Sequence, residues 1–419
     1  MQKNQALGTI ENAFASSTGV PTSTGLEANE PPALMSSDYE LAHGEKLATT
    51  LDLDTWRPGT DLVQMYERLA SEVQEAVRQE TLMQHQIRQE IFPRLKTRPG
   101  APAQAGVYRV SIEDIERTHS MLLFPGGVEA TDGTVVPFDT LPVTITQIGV
   151  VLVSYRGDQG SWVHRIFRRD LRTSGKSPID ETLDLLERRR DRSAVGYDST
   201  RDRLSSLARR GIMAYAERAI LLDRATAPWR LGHGSPTPYE LVTGSGMPEL
   251  LDASLDLMSR LVNFKRFVFV PSETSRRELQ TIGNALRPME YAVIDSSKEN
   301  LERIQAGHYR GQEWTMLGER VRDFVDSCGD KILVGLYRAS AMARSQMFYA
   351  HTEHVHQAAL IAMADSMLQE HRGFPMLIDL ADGICGRIFG AHDFAASAQL
   401  AYAQAGAPYR YLGERQTRA

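Results

Sequence analysis

The stretch that decides the fold runs Gly126-Gly-Val-Glu-Ala-Thr131-Asp132-Gly133-Thr134-Val-Val136, then Val143-Thr-Ile-Thr-Gln-Ile-Gly-Val-Val-Leu-Val-Ser-Tyr155, then Ser161-Trp-Val-His-Arg-Ile-Phe-Arg168. Its β-branched and aromatic runs are separated by Gly and Asp turn signals. That pattern predicts three successive strands of an antiparallel meander between Gly126 and Leu171. Asp132 falls in the first strand beside a glycine, so its carboxylate would face whatever lies over the sheet.

Working outward toward the C-terminus, Pro178 to Arg210 is dense in arginine, with Glu187-Arg-Arg-Arg-Asp-Arg192 followed by Arg201, Arg203, Arg209 and Arg210. Two readings stand side by side: a solvated helix face laced with acids, or a surface that tracks phosphates. Asp202 to Asp223 is predicted helical. Leu204, Leu207, Ala208, Tyr215, Ala219 and Leu222 make one apolar stripe; Met213, Ala216 and Ile220 make a second. Glu217 lies inside the second stripe. A carboxylate there is costly unless it is paired, protonated or metal-bound; the plainer alternative is an exposed Glu beside Arg218.

Trp229 to Gly246 is rich in Gly and Pro and reads as a loop carrying His233 and Thr243. Beyond it the expected elements are a helix over Leu251–Leu261, a strand over Phe267–Val270, a helix over Arg276–Leu286 and a strand over Tyr291–Ile294. The last three together suggest a βαβ-like unit. A helix over Trp314–Phe324, a strand over Ile332–Tyr337 and a helix ending near Glu370 follow. Met376 to Gly383 places Asp382 near a helix, and a final helix begins near His392.

On the N-terminal side, residues 1–48 are rich in Ser, Thr, Gly, Ala, Pro and Glu without any period, which predicts a disordered leader. Leu62, Tyr66, Leu69, Val73 and Val77 recur at helical spacing within a helical segment from Leu51 to Leu95, closed by Pro93 and Pro99. This arm would pack on the chain or contact a twin subunit. The expected organisation is a leader (1–48), a helical arm (49–100) and one large domain (101–419).

Composition bounds the function classes. The chain has 419 residues, 42% of them hydrophobic, and a net charge of −6. That supports a sizeable core and argues against a generally sticky DNA binder, although a local basic cleft remains compatible because fields act within about 10 Å at moderate salt. Two cysteines, Cys328 and Cys385, form no disulfide framework and no metal quartet. No apolar run reaches the roughly 18 residues of a membrane span, and the N-terminus has no signal-peptide pattern. The expectation is a cytoplasmic protein with no membrane association.

Three motifs are set aside. Arg172-Thr-Ser-Gly-Lys-Ser177 resembles the end of a phosphate loop, but Asp170 stands where its first glycine belongs. His351, Glu353, His354 and His356 match neither common zinc-helix spacing. There is no Gly-x-Ser-x-Gly elbow, and neither cysteine has a base near it in sequence.

What remains is a set of chain-distant polar groups: Asp132 on a strand, Glu217 on a helix, His233 on a loop and Asp382 near a helix. Carboxylates converging over a mixed sheet are a usual means of holding Mg²⁺ or Mn²⁺ for phosphodiester cleavage. With these residues in view, the chain resembles the NurA nuclease family from about Asp132 to the C-terminus. The resemblance is carried by Thr131-Asp-Gly-Thr134 and its following long strand, the helix around Glu217, the Trp229-x-Leu-x-x-Gly-Ser235 loop, the Phe267–Val270 strand, and Phe374-Pro-x-Leu-x-x-Leu-Ala-Asp382. It implies an α/β, RNase H-like mixed sheet with flanking helices. It further implies a metal-dependent DNA nuclease that works as a homodimer with a hexameric HerA-type translocase ATPase, in DNA end processing and repair or in anti-phage defence.

Matched position by position, Asp132 and Glu217 fit the family's first Asp and its Glu. The family's second Asp corresponds to His233, or in another alignment to Thr243. Its C-terminal His corresponds to Asp382, with Ala391-His392 ten residues on. The implied catalytic and metal-binding set is therefore Asp132, Glu217, His233 and Asp382, with His233 favouring Mn²⁺ over Mg²⁺. The alternative is a catalytically inactive subunit that keeps the fold as a DNA clamp or translocase adaptor.

Overall fold

The structure, a computed structural model, describes residues 35–56, 62–139, 144–168, 179, 183, 200–273, 276–309 and 315–407. The chain divides into two compact units, Met1–Met83 and Gln84–Ala419.

In the N-terminal unit, residues 1–34 of the predicted leader lie outside the described residues, and the rest of it is largely helical rather than disordered. Ser36–His43 and Leu47–Leu51 are helical. Asp38 accepts the Met35 N–H at 2.7 Å at the start of the first, and Gly44 ends it in the left-handed region at φ 68°. The long helix that follows begins at Leu62 and runs to Gln86, with Tyr66, Leu69, Val73 and Val77 exposed along it. The segment predicted as one helix is thus several: a 3-10 turn at Leu53–Thr55 precedes the long helix, and a π-turn at Ile87–Ile91 follows.

The second unit is a mixed α/β structure, a sheet flanked by helices. Among the described residues, nine strands form one sheet in the order β1-β7-β8-β9-β6-β5-β2-β3-β4. They are β1 (Gly106–Arg109), β2 (Val128–Asp139), β3 (Thr144–Ser154), β4 (Gly157–Arg168), β5 (Trp229–His233), β6 (Phe267–Val270), β7 (Glu290–Ser296), β8 (Ile332–Arg338) and β9 (Gln346–His351). The predicted meander is present as β2, β3 and β4, paired antiparallel over ten or more residues per pair. Only β2–β5 and β5–β6 are parallel.

Alternation along β3 sets the two layers. Val151 and Val153 face the helices Val355–Met367 and Met376–Phe389, packing with Val128, Ala130, Ala358, Ala362 and Ala381. Leu152 faces the opposite layer, where Phe267 and Phe269 pack against the helices Thr200–Asp223, Pro248–Phe264 and Thr315–Cys328. Residues from Gln84 onward belong to this unit: Leu95 is buried against Leu279, Leu286, Ile294 and Met347, and Arg88 grips Glu290 through both carboxylate oxygens at 2.6 and 3.0 Å. At the far end, Phe394 of the final helix, Ala391–Gln404, covers Val136 and Phe138 of β2.

Three sequence expectations are corrected. Trp229–His233 is a central strand, not loop, and Tyr239–Val242 is a short helix. Gly232 serves the strand rather than a turn, because a Cβ there would sit 2.1 Å from the Phe269 ring. The βαβ assignment over residues 267–294 also fails. β6 and β7 lie apart, with β8 and β9 between them, and the parallel connection is β5, the Pro248–Phe264 helix and β6. β9 itself was not expected. Most of the arginine-dense stretch before residue 200, and the whole of 172–177, lies outside the described residues. Among the described residues no helix is long and apolar enough to cross a membrane.

Candidate functional site

The site begins where two parallel strands part. β5 pairs with β2 only over Val128–Thr131. Beyond Gly232 it turns away through Gly234, at φ 81°, while β2 continues to Asp139 held by β3 alone. Asp132 and Gly133 are the first residues past the parting, at the C-terminal end of the parallel strands, where open α/β sheets usually leave a crevice.

Asp132 is 5% exposed and lies on the same side of β2 as Val128 and Ala130, toward the Met376–Phe389 helix. That helix brings Asp382 to it. Its first turn follows Pro375, which has no side-chain cap to give. The buried Asp365 supplies one from the neighbouring helix, accepting the Leu377 N–H at 2.9 Å. Tyr155, at the end of β3, donates its hydroxyl to the other oxygen of Asp365. Asp382 is hydrogen-bonded to Asp132, and its carboxyl is held above its ordinary range, first by partial burial and then by the charge and hydrogen bond of Asp132.

Glu217 enters from the Thr200–Asp223 helix. Its Oε1 would lie 2.7 Å from a Cβ at position 133, so only glycine admits it. Burial pushes the Glu217 carboxyl up to about 7; the Asp132 charge adds to this and Arg218 opposes it. Arg218 is itself buried. Its Nη1 donates to Glu217 Oε2 at 3.1 Å and to Ala214 O at 2.9 Å; its Nη2 donates to the carbonyls of His233 and Ser235. The guanidinium lies 5.4 Å from the Phe269 ring centre, and its Nε has no partner.

His233, the last residue of β5, has Nδ1 3.4 Å from Asp132 Oδ1 and Nε2 2.9 Å from Ser272 Oγ. The hydrogen bond to Asp132 raises its pKa against the effect of burial. A protonated His233 donates to both neighbours.

Of the four residues singled out in the sequence, Asp132, His233 and Asp382 meet at the open end of β2, and Glu217 reaches Gly133 from the opposite layer, near enough for the Asp132 charge to act on it. The alternatives sit elsewhere in local interactions. Thr243 donates its hydroxyl to Tyr239 O at 2.8 Å, and His392 is almost fully exposed with only Asp393 beside it. Sequence reasoning missed Arg218 and Ser272. Arg218 stood next to Glu217, but the pair was weighed as an exposed one. The set-aside histidines have partners of their own: His351 Nδ1 accepts the Glu353 N–H, Glu353 pairs with Lys265 at 2.7 Å, and His356 bonds Tyr291. Cys385, also beneath the crevice, is 1% exposed, and burial pushes its thiol up to about 12; Cys328 is buried too.

The chemistry of the donor set, three carboxyls and an imidazole, suits a hard divalent cation. The arrangement suits it less well. Among the described residues no three His, Cys, Asp or Glu side chains are set to hold a metal ion. Glu217 is tied to a guanidinium, and Asp132 already has His233 against one oxygen and Asp382 beside it.

No protein-family model matches the chain, and no curated protein matches it. Among solved structures it is distantly similar to the NurA nuclease from Sulfolobus solfataricus, at 9% identity and a TM-score of 0.43, covering 82% of this chain and 98% of that one. A NurA bound to dAMP and manganese matches at 9% identity and a TM-score of 0.36, covering 78% and 93%. Endonuclease V of Ciona intestinalis, in complex with DNA, matches at 10% identity and a TM-score of 0.28, covering 66% and 92%. Likeness at this level establishes neither the fold family nor the chemistry of the chain.

Proposed function

We propose that this chain is a DNA-binding, non-hydrolysing subunit of the NurA type, serving as a clamp or adaptor for a HerA-like translocase ATPase. The nucleic-acid and ATPase assignments, and a homodimeric state, rest on the sequence resemblance. The inactive character rests on one observation: the acidic crevice is closed on itself. Glu217 is bonded to Arg218, Asp132 has His233 against one oxygen, and Asp382 lies beside Asp132. A network whose acceptors are already taken is stable without a cation.

The test is Mn²⁺-dependent cleavage of single-stranded and duplex DNA, with Asp132→Ala beside the wild type and calorimetry of Mn²⁺ binding. The expected result is DNA binding by both proteins, with no cleavage above the Asp132→Ala background and no Mn²⁺ heat that depends on Asp132. Cleavage by the wild type that the variant lacks sinks the reading.

One observation favours the other reading, an active nuclease of Mn²⁺ or Mg²⁺ with Asp132, Glu217, His233 and Asp382 as ligands. Glu217 and Asp382 are both harder to ionise, first through burial and then because Asp132 is close. A divalent ion relieves such crowding by replacing protons. There it would supply Lewis-acid stabilisation and an activated water, while Arg218 holds Glu217 and the 233–235 turn in place.

A further inference from the structure

A second cleft, which shares no residue with the acidic crevice, opens between the Ile112–Thr118 helix with its π-turn at His119–Leu123 and the start of the Val355–Met367 helix. Its volume is about 450 Å³, within the usual range for small-molecule sites of roughly 300–1,000 Å³. We propose that this cleft binds a small organic phosphate of mononucleotide size, through Arg109 and His356 at its rim and an apolar floor of Val110, Leu122 and Leu360. The proposal does not depend on the function assigned above.

The charge balance points to an anion. Arg117 also borders the cleft, but it is paired with Asp114, so the two cancel. Arg109, at the end of β1, is exposed and has no ion-pair partner among the described residues. Its guanidinium has Glu113 nearby and stands across the strand pair from Glu290, which Arg88 already holds, so its planar fork of donors, the geometry that recognises phosphate oxygens, is not taken up in an ion pair.

His356 adds a neutral donor of fixed identity. The Tyr291 hydroxyl and His356 Nδ1 are 2.8 Å apart. Burial keeps the proton on the Tyr291 phenol and disfavours the charged imidazole. Tyr291 therefore donates, Nδ1 accepts, and the ring proton is left on Nε2. The imidazole is held edge-on against Tyr108, with ring centres 4.7 Å apart, so it cannot turn without breaking both contacts.

The floor argues for more than a bare ion. Val110 is buried, Leu122 and Leu360 pack on the main core, and Tyr291 closes the base. An inorganic phosphate would use only the rim. A phosphate ester with a compact flat body would also cover the floor, and the exposed Gln357 amide offers that body both a donor and an acceptor.

The experiment is calorimetric titration of the full chain at low ionic strength with adenosine 5′-monophosphate, and separately with inorganic phosphate. The nucleotide is expected to bind at least tenfold more tightly than phosphate. Arg109→Ala is expected to weaken it about tenfold or more, the loss of one charge-assisted bond. Tyr291→Phe keeps the ring but frees the imidazole tautomer, and should weaken binding by a smaller factor. Asp132→Ala should bind as the wild type does. The proposal is overturned if no saturable nucleotide binding appears up to about 10 mM, a free energy of under 3 kcal/mol. Equal affinity for phosphate alone overturns it, as does an Arg109→Ala protein of unchanged melting temperature that binds normally. Loss of binding in Asp132→Ala would locate the ligand in the acidic crevice and also overturns it.

Discussion

Glu217 and Glu290 are both buried, both face an arginine, and ionise in opposite senses. Burial raises each. At Glu290 that effect is outweighed: Arg88 holds both oxygens, the Arg287 N–H adds a third bond at 2.8 Å, and the carboxyl ends below its ordinary range. At Glu217 a single bond from Arg218 is set against burial and the nearby charge of Asp132, and the carboxyl rises to about 7. An Arg–Glu pair alone therefore does not tell a structural clamp from a functional group. The sign of the further charge decides: Arg287 helps to lower Glu290, whereas Asp132 helps to raise Glu217. Glu290 fastens residues that precede the sheet to β7, whereas Glu217 sits where a strand edge has been left open.

The largest effect that would sharpen this contrast is at the clamp. Glu290→Ala leaves Arg88 with an unpaired, partly buried charge and should cost about 3–5 kcal/mol in denaturant unfolding at pH 7. A loss below about 1 kcal/mol would mean the pair is no clamp.

The next is a pH profile. Between its unfolded value and about 7, the folded chain keeps a proton on Glu217 that the unfolded chain has released. The stability associated with this proton is full below the ordinary glutamate range and is lost as pH rises through about 7. Protonation of His233, raised by Asp132, acts in the same direction. Glu217→Gln should thus match the wild type near pH 4.5 and exceed it by up to about 3 kcal/mol at pH 8. Parallel profiles for the two proteins would remove the contrast with Glu290.

Gly133→Ala tests the close approach itself. The added methyl meets Glu217 Oε1 and, at 3.1 Å, Met213 Cγ, so a cost of about 1–3 kcal/mol is expected, together with a shallower pH profile as Glu217 is pushed aside. A neutral substitution would show that the helix can simply move away. The smallest effect is at Asp382→Asn. The amide still donates to Asp132 from an exposed position, and stability should stay within about 0.5 kcal/mol; a larger change would make Asp382 a structural member of the network.

Regular periodicity explains what could be read beforehand. The β2–β4 meander and the Phe267–Val270 strand come from runs long or apolar enough to override their neighbours, and the 202–223 helix from its stripes. β5 was hidden because Gly232 and Arg230 break the pattern. Gly232 is required by the Phe269 ring. Arg230 is buried because the Ala225 and Ala227 carbonyls and the Phe264 ring satisfy it. Neither reason is visible in a one-dimensional pattern. In the crevice, Glu217 could be found from its cost in an apolar stripe. His233 and Asp382 stood only among the chain-distant polar groups until the family resemblance aligned them, because nothing local in the sequence joins residue 132 to residues 101 and 250 positions away. Arg218 was overlooked because whether two adjacent charges are solvated depends on what packs over them.

Both natural thiols lie inside the molecule, Cys385 under the crevice and Cys328 at the end of its helix. In the native protein neither should react with maleimides on an ordinary labelling timescale. A single cysteine introduced at an exposed position can then carry a fluorophore or spin label without first removing the originals. With two such positions, distances across the open end of β2 become measurable while both natural thiols stay in place.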